Sequence, residues 1–219
     1  MLGRHMLTGA IILGSFAMIG AGLVGMTYEG TKERIAANER EFLLRTLNEM
    51  VPADAYDNDI FNDTIQVQSK ELLGSKGPLT IYRARKNNEP VAAIISVDAP
   101  DGYNGTIKLL VAVDLGGQIG GVRVLSHKET PGLGDSIDTD HSNWINSFYG
   151  HSLNAPDEQG WRVKKDGGIF DQFTGATITP RAVVKAVHNA LKYYDAHKND
   201  IFASMSKSEV KKSGGEDHG

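Results

Sequence analysis

Leu79-Thr80-Ile81-Tyr82-Arg83-Ala84, followed across the turn Lys86-Asn87-Asn88-Glu89 by Pro90 to Val97, decides the fold. Both runs are rich in the β-branched and aromatic residues that fit a pleated, half-buried surface, and turn-forming residues bound them. The pattern recurs downstream in Thr106 to Val113 and Gly121 to Leu125, separated by Asp101-Gly102-Tyr103-Asn104-Gly105 and Asp114-Leu115-Gly116-Gly117. Connections this short join antiparallel neighbours, so the four runs predict a meander.

Outside the meander the chain alternates between turns and helical patterns. Asn143-Trp144-Ile145-Asn146-Ser147-Phe148 predicts a short helical turn, and Trp161-Arg162-Val163-Lys164 a further strand ahead of Asp166-Gly167-Gly168. A final helix is expected from Pro180 to His197, with Thr179 as its N-cap, Pro180 in the first helical position and Arg181 to Val187 continuing at helical spacing. Upstream, Tyr28 to Val51 reads as a second helix or as the continuation of a preceding one. Ile35, Phe42, Leu43, Leu47 and Met50 form its apolar stripe and Pro52 marks its end. That stripe is expected to pack on its own domain rather than lie in a membrane interface. Asp54 to Asp59 is acidic but lacks the glycine and terminal glutamate of a calcium loop, so a plain loop is expected. The fold class expected is α+β, a twisted antiparallel sheet with helices at one side or end.

Met6 to Thr27 carries no charged side chain. Its length matches the roughly 20 residues that cross a hydrocarbon core of about 30 Å, and it is expected to be a single N-terminal transmembrane helix. A cleaved signal peptide is the competing reading, but the apolar core of such peptides runs only ~7–15 residues. Ala17, Ala21 and Gly25 stand four apart, a small-residue spacing that lets another helix approach closely. Arg4 and His5 precede the span whereas Lys32, Arg34, Arg40 and Arg45 follow it, which on a simple positive-inside count opposes export of the downstream domain.

Composition narrows the chemistry. The 219 residues carry 40% hydrophobic residues, enough for one ordinary domain and an appendage, and a net charge of −4 with bases dispersed among acids. Nothing there supports a nucleic-acid partner. Without cysteine, thiolate-held iron–sulfur clusters and zinc sites are excluded, so redox chemistry would need an organic cofactor or another metal.

Asp171-Gln172-Phe173-Thr174-Gly175-Ala176-Thr177-Ile178-Thr179-Pro180 places a threonine-rich turn at the start of the last helix. Helix N-termini present unpaired N–H groups and partial positive charge, so a phosphate held by Thr174 or Thr177 against Gly175 is favoured there, although most such starts are caps only. The pattern resembles the flavinylation motif of the FMN-binding domain family shared by the G subunit of Rnf electron-transport complexes and the C subunit of the sodium-pumping NADH:quinone reductase. His127-Lys128-Glu129-Thr130-Pro131-Gly132-Leu133-Gly134-Asp135 is similar to a second segment of that family, upstream of its flavin threonine.

The resemblance implies FMN joined covalently to Thr177 through a phosphoester, installed from FAD by a flavin transferase. Asp171, Thr174, Gly175, Ala176 and Thr179 match the rest of that motif, while His127, Glu129, Thr130, Pro131, Gly132, Leu133 and Gly134 are expected to approach the cofactor. It further implies other membrane subunits as partners and a periplasmic domain at a bacterial inner membrane, in a complex moving electrons between ferredoxin and NAD while translocating ions. The organisation expected is an anchor over 1–28, a soluble domain over 29–205 with its FMN-binding region at about 103–197, and a disordered tail over 206–219. No metal site and no catalytic residue are expected. His127 has no partner at metal-ligand spacing and reads as structural or flavin-contacting, His141, His151 and His188 as surface or helix-face residues, and Trp144 as core. The quinone-reductase subunit and a membrane-anchored scaffold without flavin remain alternatives.

Overall fold

All four strands of the anticipated meander are present and consecutive neighbours are antiparallel, as seen in a computed structural model that describes residues 2–203. The expected tail lies outside those residues. The elements are α1 (Leu2–Met50), β1 (Thr64–Val67), β2 (Leu79–Lys86), β3 (Glu89–Ala99), β4 (Ile107–Asp114), β5 (Ile119–Ser126) and α2 (Ile178–Phe202), with short 3₁₀ turns at Gly134–Ile137, Trp144–Phe148 and Lys164–Asp166. The sheet order is β1-β2-β3-β4-β5. Strand β1, absent from the sequence reading, is a four-residue edge strand paired in register Ile65 to Ile81.

Covering on both faces explains why β3 and β4 are buried nearly end to end rather than alternately. Ile81, Ala93, Ile95, Leu109, Val111 and Val113 share one core with Val183, Val187, Ala190 and Leu191 of α2. The opposite face carries Ile94, Leu110 and Ala112, also buried, and there the end of α1 approaches β5. A Cβ on Gly121 would stand 3.4 Å from Met50 Cα, which shows how closely the end of the helix lies against the strand. Leu47, Met50 and Val51 are buried accordingly.

Thr46 onward forms the sheet-bearing unit, and residues 1–45 form a compact unit of their own. Within α1, Ile11, Leu13, Phe16, Ile19 and Leu23 are all more than half exposed. A helix whose apolar residues face no protein suits lipid as its surroundings. The region from Tyr28 onward is a continuation of the same helix, with no break before Met50.

The far end of α2 is fixed by charge. Arg83 donates to the carbonyls of Ile201 (3.3 Å) and Ala203 (3.4 Å), and Arg85 to that of Phe202 (3.4 Å), while Asp63 pairs with both arginines at 2.5 and 2.9 Å. These guanidinium groups satisfy helix carbonyls that have no partner within the helix, which extends α2 to Phe202 beyond the expected His197.

Trp161 to Lys164 is not a strand. Val163 makes one isolated bridge to Phe170, and the chain turns so tightly at Gly168 that a Cβ there would lie 2.0 Å from Arg162 O. The segment instead delivers Trp161 to an aromatic cluster with Phe148 and Phe170, and His188 of α2 stacks on the indole at 5.0 Å with an interplanar angle of 3°. His188 is thus on a helix face, and a buried one. Burial, aided by the Lys192 charge, lowers its pKa from 6.5 to about 4, against the pull of Glu158.

Between those two values the unfolded chain holds a proton that the folded chain does not, so stability falls as pH drops from about 6.5 toward 4. Thermal melts of the full chain over that range are expected to show this loss, and His188→Gln to flatten it relative to the wild type at pH 7.

Candidate functional site

The two sequence motifs meet at the N-terminal end of α2. In the loop after β5, the N–H groups of Leu133 and Gly134 both donate to Thr130 O at 3.1 Å, and Gly132 turns the chain at φ +77°. The N–H of Gly132 donates to Asp135 Oδ2 at 2.8 Å, closing the turn. Below it, His127 Nδ1 accepts the N–H of Glu129 at 3.0 Å. That leaves Nε2 as the protonated ring nitrogen, and it donates to Asp138 Oδ2 at 2.8 Å. His127 therefore anchors the root of the loop.

Glu129 crosses from this loop to two others. Its carboxylate is buried, with Oε1 accepting the N–H of Asn104 at 3.0 Å and Oε2 accepting the hydroxyl of Thr179. This overturns the expected N-cap. Thr179 lies inside the helix and is wholly buried, because a distant carboxylate offers its hydroxyl a charge-assisted bond stronger than the one a backbone amide offers. The cap position falls to Thr177 (φ −82°, ψ −16°), whose hydroxyl makes no capping bond. Pro180 consequently sits third in the helix, where its missing N–H would have had no partner within the helix.

Gly175 at φ +84° turns the second motif against the first, and a Cβ on it would come within 3.3 Å of Leu133 Cδ2. Between the motifs lies a cleft of about 360 Å³, within the usual range of ligand sites, ~300–1,000 Å³. Glu129, Thr130, Leu133 and Gly134 line it from one side and Gly175, Ala176, Thr177 and Thr179 from the other. Tyr103 and Ile178 complete it, and neither was picked out from sequence. With Leu133 they form an apolar lip, Tyr103 being 65% exposed.

The remaining motif residues do not line this cleft. Asp171 pairs with Lys164 at 2.6 Å and its carbonyl accepts the Trp144 indole N–H at 2.8 Å. Thr174 is exposed in the turn, and Pro131 and Gly132 are exposed at the loop tip. Trp144 packs edge-on against Phe148 and Phe173 rather than into the cleft. His141 is exposed, 3.6 Å from Asp135 Oδ2, and His151 stands edge-on to Trp161 and Phe170.

The arrangement fits a phosphate-bearing planar aromatic group. The first turn of α2 supplies N–H groups without intrahelical partners and partial positive charge, Thr177 supplies a hydroxyl, and the lip supplies apolar surface. Arg181, in the first turn of α2, is engaged by Asp166 at 2.5 Å and holds that carboxyl below its usual range, chiefly through their hydrogen bond. No lysine or arginine is among the described residues that line the cleft, so positive charge within it comes from the helix end.

Residues 102–192 match a family model described as the FMN-binding domain, and residues 1–50 match one described as the RnfG N-terminal region. The first match holds both motif loops and the whole cleft, and the second ends where α1 ends. The chain is similar to the G subunit of the ion-translocating oxidoreductase complex of Pseudomonas aeruginosa, 48% identical over 200 residues that cover 91% of this chain and 94% of that protein. The corresponding G subunit of Pseudoalteromonas atlantica is 49% identical over 197 residues (90% and 92%), and that of Aliivibrio fischeri 46% over 192 residues (88% and 91%).

A Cβ on Gly134 would lie 2.9 Å from Glu129 Cβ and 3.0 Å from Thr179 Oγ1, forcing apart the pair that closes the cleft. Gly134→Ala is expected to destabilise the fold by about 1–3 kcal/mol through overpacking, read by urea unfolding, and to lower the flavin content of the purified protein.

Proposed function

The chain belongs to the G-subunit family of ion-translocating oxidoreductase (Rnf) complexes, and from that premise we propose that it carries FMN covalently on Thr177 as an electron relay within such a complex. Membership supports an FMN-binding redox subunit with other subunits as partners and one candidate N-terminal membrane helix. The observation that carries the finer reading is the Thr177 hydroxyl. It lines the cleft at the start of a long helix and is not spent on a cap.

In this reading the bound flavin supplies the redox chemistry and the protein supplies retention, orientation and field. Thr177 holds the phosphate as a phosphoester. The first turn of α2 offsets its charge, Tyr103, Leu133 and Ile178 offer apolar contact, and Glu129 keeps the two motif loops in register. Asp171, a member of the motif, pairs with Lys164 beside the turn and does not line the cleft. Residues 1–28 anchor the chain, and the domain faces the periplasm. The bases that follow the span do not oppose this strongly, since long domains translocate largely regardless of flanking charge. The partners in this reading are a flavin transferase during maturation and the other membrane subunits thereafter, in a complex exchanging electrons between ferredoxin and NAD.

Intact mass decides the attachment. Produced with an active flavin transferase, the wild type is expected to gain the mass of one FMN less one water and to fluoresce after denaturation, and Thr177→Val to do neither. An unmodified wild type beside a modified control substrate returns the chain to the reading of an anchored scaffold.

A further inference from the structure

Three threonines, at 174, 177 and 179, crowd the motif, yet the proposed attachment uses one. We propose that Asp138 and His127 are positioning residues for it, holding Glu129 so that its carboxylate occupies the Thr179 hydroxyl and leaves Thr177 to take the flavin phosphate. This rests on the attachment reading above and deepens it.

The support is a continuous chain of bonds from the surface to the helix start. Asp138 Oδ2 accepts from His127 Nε2 at 2.8 Å, and His127 Nδ1 accepts the Glu129 N–H at 3.0 Å. Glu129 then takes the Asn104 N–H on one oxygen and the Thr179 hydroxyl on the other. His141 reaches the same Asp138 oxygen only at 4.0 Å, so the short bond belongs to His127. Two effects follow. The Thr179 proton is committed to a buried carboxylate, and stripping it away would leave that charge unpaired. Both Glu129 oxygens are also occupied by donors, which offsets the repulsion that a carboxylate lining the cleft exerts on an arriving phosphate. Thr174 is exposed and outside the cleft, so Thr177 is the motif hydroxyl that is both within it and free of a capping bond.

In the transfer, Thr177 Oγ forms its bond to the FMN phosphorus of a flavin dinucleotide and its O–H bond breaks, the proton leaving to solvent. The phosphoanhydride P–O bond breaks with its electron pair going to the departing nucleoside monophosphate, and nothing is oxidised or reduced. Such a displacement depends steeply on placement, a misplacement of about 1 Å costing on the order of 10²-fold.

Asparagine and glutamine separate the two ring nitrogens of His127. An asparagine carbonyl can stand at Nδ1 and still accept the Glu129 N–H, whereas a glutamine amide reaches Asp138 and offers Glu129 nothing. The experiment uses the full chain, purified without flavin, with flavin transferase and FAD, following attachment by intact mass and locating it by peptide mass mapping. Expected are modification at Thr177 alone in the wild type, attachment slowed on the order of 10–100-fold in His127→Gln, and a smaller loss in His127→Asn, which keeps the acceptor for the Glu129 N–H and gives up the bond to Asp138. Thr177→Ala is expected to stay unmodified.

Wild-type rates at Thr177 in His127→Gln, His127→Asn failing as fully as His127→Gln, or flavin on Thr179 in Thr177→Ala each overturn the proposal. If His127→Gln loses its cooperative melting transition, Asp138→Ala, which removes the acceptor of the His127 Nε2–H, carries the test: slowed attachment with unchanged melting supports the chain of bonds, and a wild-type rate overturns it. An unmodified wild type beside a modified control substrate is a separate failure, that of Thr177 as acceptor.

Discussion

Glu129 is a carboxylate withdrawn from water where three segments of chain meet: the β3–β4 connection at Asn104, the loop after β5, and the first turn of α2. A buried charge is tolerated only when its lone pairs are taken by donors, and here the donors come from segments far apart in sequence. The geometry of the cleft therefore depends on this one side chain. Without it Thr179 would lose the acceptor for its buried hydroxyl, the two motif loops their common partner, and the Gly102–Asn104 turn its backbone tie to the loop, leaving only the Asn104 side chain on Thr130 at 3.3 Å. Gly102 shows how tight that meeting is, since a Cβ on it would fall 3.1 Å from Glu129 Oε1.

The sheet gives this junction a fixed base. Its central strands are buried on both faces, and α2, which carries Thr177 at its start, is held at both ends by charge from elsewhere in the fold. Asp63, Arg83 and Arg85 secure the last turn, and Glu129 secures the first. A helix pinned in this way cannot slide along the sheet, so the position of its N-terminal N–H groups is set to within the play of two hydrogen-bonded clusters. Precision of that kind is what a site needs if its anion-binding field comes from backbone dipoles rather than from a mobile lysine or arginine.

Much of this was legible in sequence, and the exceptions have physical causes. Runs rich in Val, Ile and Thr between turn residues located β2 to β5, because strands covered on both faces are written as β-branched stretches bounded by turns. Strand β1 was not found, since four residues at an edge carry too little pattern to stand out. The end of α2 was placed too early and its cap at the wrong threonine for a shared reason. Arg83 and Glu129 act on the helix from outside, across many residues, and no local signal encodes them. The Thr-Gly-Ala-Thr turn was found by its likeness to a known motif rather than by its chemistry. Tyr103 was missed because it sits in Asp101–Gly105, a stretch that reads fully as a turn. An aromatic residue in such a turn, with no apolar neighbours to pack it, was the signal that was there to be used.

The shape of the cleft bears on why an anchored carrier should hold its cofactor by a bond. An electron relay needs the edge of its redox group near the surface, where a partner can approach, and the lip of Tyr103, Leu133 and Ile178 is exposed. Exposure works against retention, because affinity for a small ligand grows with the fraction of its surface that the site encloses. A deep pocket would bind FMN tightly and bury the group that has to be reached. In the proposed attachment, joining the phosphate to Thr177 would separate the two requirements: the bond at the helix end would provide retention whatever the open cleft contributes, and the flavin ring would be free to sit shallowly. On the proposed reading, the free hydroxyl at the start of α2 and the open apolar lip are two halves of one solution.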